Sequence, residues 1–272
     1  MVFRAACVQL RSSDDVAENI RETVRLVRDA AAQGANLIAT PENTTLMAGD
    51  AAAKLARSFD EANDPALPVF SALAHELGIW LSIGSLAIKV SPDKTANRSF
   101  LFAPDGKLAA RYSKIHLFDA VVGSGESYRE SNTVLGGDEA VVADTSLGRI
   151  GLTVCYDMRF PQLYRSLAKN GAFLFTVPSA FTVPTGEAHW HVLLRARAIE
   201  NGAFVVAAAQ GGLHANGRKT YGHSLIVGPW GEVLAEAGTD PCVIFADIDP
   251  ALSEQARAKV PSLQHDSAFT GP

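Results

Sequence analysis

Apolar residues recur at helical spacing at Val16, Ile20, Val24 and Val27, and with the stop at Gly34 they predict a helix from about Asp15 to Gln33. The apolar run at 3–9 reads as a first strand. ANLIAT (35–40) reads as a second, running into Pro41-Glu42. A helix from about Pro65 to Leu77 stops at Gly78, and IWLSIGSLAI (79–88) reads as paired strands. SFLFA and KLAARY flank PDGK (104–107), a hairpin with Pro-Asp-Gly turn chemistry. Residues 115–132 read as a long loop of mixed character. Residues 150–154 form a short buried strand, broken at Tyr156–Met158, and 159–171 then read as a helix ending at Gly171. A strand (172–177), a loop (178–187), a helix (188–200) and a strand (203–209) follow. The last third alternates strands around GPWGE (228–232) before a terminal helix near 250–259.

These βαβ units alternate with hairpins along one continuous core, which implies sheets with parallel centres and antiparallel neighbours. About a dozen strand candidates exceed one comfortable open sheet, so a two-sheet sandwich with outer helix layers is expected. No linker, repeat or low-complexity segment divides the chain, and residues 1–272 read as a single domain. The composition is that of a globular protein, 47% hydrophobic and 19% charged, with a net charge of −5. No basic stripe points to nucleic acid. The longest apolar runs, such as AFVVAAA (203–209), fall far short of the roughly 18 residues that cross a membrane. Arg4 interrupts the first apolar stretch, which therefore reads as a strand and not a signal peptide. Cys7, Cys155 and Cys242 are too widely spaced for a disulfide framework or a metal cluster, and a reduced, cytoplasmic location is the simplest expectation.

Three residues stand where strands end. Cys155 follows the strand at 150–154 at a sharp turn toward a helix, where a helix dipole would lower a thiol's pKa and make it a nucleophile; a packed core cysteine is the alternative. Glu42 follows Pro41 and is either a general base or a solvated loop residue. Lys114, among Ile115, Leu117 and Phe118, either snorkels outward or is held by carboxylates, of which Glu130 could supply one. Active sites of layered α/β folds gather at such strand exits.

Pro41-Glu42, Lys114 in YSKIHLF and Cys155 in GLTVCYDMRFP together resemble the nitrilase superfamily of carbon–nitrogen hydrolases. The similarity extends through 178–212 and 221–238, and the segments AHW, LLRARAIEN, AAAQ and YGHS most resemble the Nit branch and, within it, the amidases of deaminated glutathione. Gln162 and Ser113 depart from the common pattern, outside the three catalytic types. The resemblance implies an α/β fold, a four-layer α-β-β-α sandwich of two mixed sheets covered by helices, and no cofactor. It implies hydrolysis of a small carboxylate-bearing amide, with release of ammonia, through a cysteine thioester. Cys155 would be the nucleophile, Glu42 the general base, and Lys114, with the Tyr156 N–H, the oxyanion donor; Glu130 would hold Lys114. It also implies a homodimer or an assembly of dimers, for which the apolar stripe Phe160, Leu163, Tyr164 and Leu167 is a candidate surface, core packing being the alternative. Rival readings are an ω-amidase acting on α-ketoglutaramate or succinamate, a nitrilase or N-carbamoyl amino acid amidohydrolase, and a catalytically silent binding protein. A redox sensor would lack a resolving cysteine nearby.

Other residues are read more plainly. Arg159, His189 and the loop 178–187 are candidates for the substrate carboxylate, and Phe181 and Thr185 either line the pocket or lie in a surface loop. His189 and His191, two apart on a helix, point to different sides, so no metal is expected. Arg197 and Glu200 have ion-pair spacing. The glycines of VVGSGES (121–127) follow no strand of a βαβ unit and do not read as a phosphate cradle.

Overall fold

The computed structural model describes residues 1–122 and 126–271; Gly123, Ser124 and Gly125, the centre of the VVGSGES segment, lie outside the described residues. The chain opens with β1 (Phe3–Gln9), α1 (Val16–Ala32) and β2 (Leu37–Ala39), and Asp15 caps α1 by accepting from the Glu18 N–H. Next come α2 (Ala51–Ala56), α3 (Ala66–Leu77), β3 (Trp80–Lys89), β4 (Thr95–Phe102) and β5 (Leu108–Ser113). A small hairpin pairs β6 (Asp119–Val122) with β7 (Glu126–Arg129), and β8 (Val141–Thr145) then turns into β9 (Gly148–Leu152). The second half runs α4 (Pro161–Lys169), β10 (Leu174–Thr176), α5 (Val183–Asn201), β11 (Phe204–Ala207), β12 (Gly211–Leu213) and β13 (Lys219–Tyr221). It ends with β14 (Leu225–Val227), β15 (Val233–Glu236), β16 (Cys242–Ile248) and α6 (Pro250–Lys259).

Two six-stranded mixed sheets result, ordered β16-β1-β2-β3-β4-β5 and β15-β14-β11-β10-β9-β8. The centres are parallel (β1-β2-β3 and β9-β10-β11) and the edges antiparallel. Strands buried on both faces explain the near-continuous apolar runs in the sequence. One face of the first sheet, with Ala6, Val8, Ile38 and Leu81, packs under α1 and α3 through Val27, Phe70 and Leu73. Its other face, with Phe3, Cys7 and Leu37, meets the second sheet, and Phe3 packs edge-on against Phe173. Trp190 and Leu194 of α5 and Tyr164 of α4 close the far side. The layers therefore run α-β-β-α, as expected.

Several local expectations change. Residues 79–88 are not paired strands: β3 is one strand whose register shifts between Ile83 and Leu86, and its hairpin partner is β4. Gly84 lies at that irregularity because a Cβ there would stand 2.1 Å from the Thr40 carbonyl oxygen and 2.5 Å from that of Pro41. The backbone that carries Glu42 thus rests directly on a glycine. The loop at 115–132 contains the β6–β7 hairpin, and half of the loop at 178–187 is the first turn of α5. The helix read from 159 starts at Pro161 after a 3-10 turn at Cys155–Arg159. Leu163, Tyr164 and Leu167 are fully packed in the core, so the α4 stripe is not a surface.

Candidate active site

Three strand exits converge. β2 ends at Thr40-Pro41-Glu42, where proline stops the ladder and a buried Thr40–Thr44 hydroxyl contact at 2.8 Å ties the turn. β5 ends at Lys114, whose N–H donates to the Asn97 carbonyl at 2.9 Å. β9 leads into Cys155, whose N–H donates to the Pro178 carbonyl at 2.8 Å and whose φ is +49°. A non-glycine residue with that φ is held by its surroundings, and the holder here is Asp157. Its fully buried carboxylate accepts from the Val154 N–H (2.8 Å), the Tyr112 hydroxyl (2.7 Å), the His116 N–H (3.1 Å) and His116 Nδ1 (2.7 Å). Arg197 Nε adds a bond to the Met158 carbonyl at 2.8 Å and pairs with Glu200 at 2.7 Å, so that pair braces the same turn.

Glu42, 4% exposed, accepts at Oε1 from Asn97 Nδ2 (2.8 Å) and Lys114 Nζ (3.0 Å), and at Oε2 from the Ala180 N–H (3.0 Å). Lys114 is 2% exposed and also meets Glu130 at 2.8 and 3.1 Å. Burial opposes its charge, but the Glu130 and Glu42 carboxylates hold the ammonium well above its ordinary pKa. Glu130 accepts in addition from the Phe118 N–H at 2.7 Å. Burial of Glu130 would raise its pKa; the Lys114 charge instead holds it down at about 2. A carboxylate with a folded pKa below its unfolded value stabilises fully above that unfolded value, and the contribution is lost as pH falls through the folded pKa. Denaturant unfolding should therefore show the stability gap between wild type and Glu130→Gln shrinking from about pH 4.5 toward 2; a gap constant over that window contradicts the pairing.

The Cys155 thiol differs from its expected state. Burial pushes its pKa up and the Glu42 carboxylate adds to the rise, against the smaller opposing effects of the Lys114 charge and the Ala180 N–H. The dipole of α4 acts little on the thiol, since α4 begins six residues later, after the 3-10 turn at Cys155–Arg159. The thiol is therefore protonated at rest beside a carboxylate that can take the proton.

Glu42, Lys114, Glu130, Cys155 and Tyr156 all line one cavity of about 420 Å³, within the usual small-molecule range. Arg159, Phe181 and Thr185 line it too. The Arg159 guanidinium lies 5.5 Å from the Phe181 ring and 5.8 Å from that of Tyr156. His189 does not line it: its Nδ1 meets Arg159 at 3.2 Å from outside. His191 points elsewhere, as its spacing requires. It meets Glu236 at 2.9 Å, and Glu236 also meets His223 at 2.9 Å; these three donor atoms lie within 4.8 Å of one another, away from the cavity. Sequence reasoning missed Asn97, Asp157, Lys54 and Arg218. Asn97 gave no visible signal, since it stands in the polar half of β4 with Thr95, Arg98 and Ser99.

The carbon–nitrogen hydrolase family matches residues 4–258, and the chain belongs to that family. Deaminated glutathione amidase of Synechocystis sp. is 41% identical over 97% of both chains. Among solved structures, the Caenorhabditis elegans NitFhit protein superposes with a TM-score of 0.91 at 35% identity, covering 97% of this chain, which spans only 65% of that longer one. A variant of the amidase from Nesterenkonia sp. AN1, with the acetamide moiety of fluoroacetamide on its active-site cysteine, gives a TM-score of 0.81 at 28% identity over 95% of each chain.

Proposed function

We propose that the chain is a thiol amidase whose preferred substrate is deaminated glutathione. The observation that carries this reading is the buried contact of Glu42 with Lys114 beside Cys155 in a cavity that also holds Arg159. Likeness to amidases of that compound supports the substrate, and the covalent adduct on the Nesterenkonia enzyme's cysteine supports the chemistry.

In the mechanism, Cys155 Sγ attacks the amide carbon as its proton passes to Glu42. The oxyanion forms against Lys114 Nζ and the Tyr156 N–H; one such donor is typically worth about 2.7–4 kcal/mol. Collapse expels the amine, which takes the proton from Glu42 and leaves a thioester. Glu42 then removes a proton from water, which attacks the thioester and frees Cys155. Asn97 and the Ala180 N–H keep the Glu42 carboxylate aimed through both steps. Deaminated glutathione has lost glutathione's amino group, and its scissile nitrogen belongs to cysteinylglycine. The leaving group is therefore that dipeptide's amine, and ammonia is released only from primary amides such as α-ketoglutaramate. Arg159 would bind the α-keto acid carboxylate, because burying that charge unpaired is costly.

The test compares kcat/KM for deaminated glutathione, α-ketoglutaramate and butyramide, read as keto acid for the first two and ammonia for the third. The neutral amide is expected to be slower by at least roughly 10²-fold. A higher value for α-ketoglutaramate than for deaminated glutathione would favour an ω-amidase, and equality with butyramide a simple aliphatic amidase.

The reading includes a homodimer in a reducing cytoplasm. Val192 and Ile199 on α5, with nearby Trp230, form an exposed apolar patch, and all three cysteines are free. A monomer by sedimentation at micromolar concentration would contradict the dimer. Among the described residues, no helix is long and apolar enough to cross a membrane.

A further inference from the structure

Eight charged side chains line the cavity, five of them Lys or Arg and three Asp or Glu. Most have partners. Lys114 is held by Glu42 and Glu130, Arg159 stands with Tyr156, Phe181 and His189, and Asp50 caps α2 by accepting from the Ala53 N–H at 2.8 Å. Arg129 is exposed and donates to the Tyr128 carbonyl at 3.3 Å. Among the described residues Lys54 and Arg218, like Arg159 and Arg129, meet no carboxylate within salt-bridge distance; unlike exposed Arg129 both are half-buried, and unlike Arg159 neither has a histidine partner. Arg218 reaches the Ala180 carbonyl at 2.9 Å and lies 5.6 Å from the Tyr128 ring, but its buried Nε has no acceptor. Burial pushes the Lys54 ammonium below its ordinary pKa, the nearby Lys114 and Arg218 charges add to that, and Glu130 and Glu42 oppose it.

The excess of cations matches a substrate with two carboxylates. In deaminated glutathione the keto acid carboxylate lies on one side of the scissile carbonyl. The glycine carboxylate lies on the other, at the end of a two-residue arm that reaches about 7 Å when extended. Arg159 packs on the Tyr156 and Phe181 rings and Arg218 on the Tyr128 ring, so the two guanidiniums rest on different aromatic side chains of the same cavity, which Lys54 also lines.

We propose that Lys54 and Arg218 form a second anion subsite that binds the terminal carboxylate of the leaving peptide and so selects cysteinylglycine-type amides over primary amides. The proposal rests on the substrate reading above and adds the residues that would enforce it. Arg218 brings a guanidinium to the cavity wall, where Nη1 meets Met47 Sδ at 3.8 Å, and its Nη2 bond to the Ala180 carbonyl ties it to the peptide unit beside the one that orients Glu42.

The experiment measures kcat and KM for Lys54→Met, Arg218→Met and Arg218→Lys with three substrates: deaminated glutathione, the same compound with its glycine carboxylate converted to the neutral amide, and α-ketoglutaramate. In wild type, neutralising that carboxylate should cost on the order of 10²-fold in kcat/KM, mostly through KM. Arg218→Met should lose a similar factor on deaminated glutathione, far less on the two substrates without the carboxylate, and Arg218→Lys should recover part of it. Lys54→Met should show the same selectivity for the carboxylate. Equal losses on all three substrates, or a wild type indifferent to the neutralised carboxylate, would overturn the subsite alone. A wild type that cleaves α-ketoglutaramate and neither peptide-like compound would overturn the substrate reading and the subsite with it.

Discussion

Cys155→Ala should abolish turnover, by at least about 10⁴-fold in kcat, while the fold persists. The sulfur is the only atom at that position able to carry an acyl group, and the residual rate would come from binding and the oxyanion donors alone. The substitution removes one buried atom, and the turn it stands on is fixed by others: Asp157 on the Val154 N–H and the Pro178 carbonyl on the Cys155 N–H. Stability should therefore move by no more than about 2 kcal/mol. Chemical denaturation and steady-state kinetics on the same preparation separate the two effects. Activity within tenfold of wild type would remove Cys155 from the mechanism.

Glu42→Gln should be nearly as damaging, about 10³-fold or more in kcat, because one carboxylate serves both halves of the reaction. The substitution keeps the shape and an acceptor oxygen for Lys114, Asn97 or the Ala180 N–H. It removes the base beside a thiol whose burial keeps it protonated. It also leaves Lys114 with Glu130 as its one carboxylate partner. Burst and steady-state rates should fall together, since acylation and deacylation both need the base. Glu130→Gln should cost less in kcat, because Glu130 meets Lys114 and the Phe118 N–H and acts by positioning the ammonium. A Glu42→Gln enzyme with near-normal kcat would exclude Glu42 as the base.

The strand exits that carry Glu42 and Cys155 were legible because each ends a short apolar run, and that of Lys114 because the lysine follows a strand and is itself followed by the apolar Ile115, Leu117 and Phe118. The sandwich was legible from the number of such runs. What escaped the sequence depends on long-range closure. Gly84-Ser85 looks like a turn between two strands, yet the glycine is there so that the Pro41 backbone can approach β3. Val183-Pro184-Thr185 looks like a loop, although proline in a first turn is a helix start, and the missed start displaced Thr185 from loop to helix. The raised pKa of Cys155 could not be read locally, because its cause is burial between two sheets and a carboxylate more than a hundred residues away in sequence. Lys54 and Arg218 are surface-type residues in a short helix and a loop, and only the closed fold aims both at the cavity. His189 was placed one contact too close: it lies behind Arg159 and not in the cavity wall.

The central claim is a thioester on Cys155, and mass analysis of peptides after rapid acid quench of the enzyme with deaminated glutathione tests it most directly. The account predicts a transient α-ketoglutaryl adduct on the Cys155 peptide alone, decaying at a rate consistent with kcat and absent from Cys155→Ala. An adduct on another residue, or full turnover by Cys155→Ala, would contradict it.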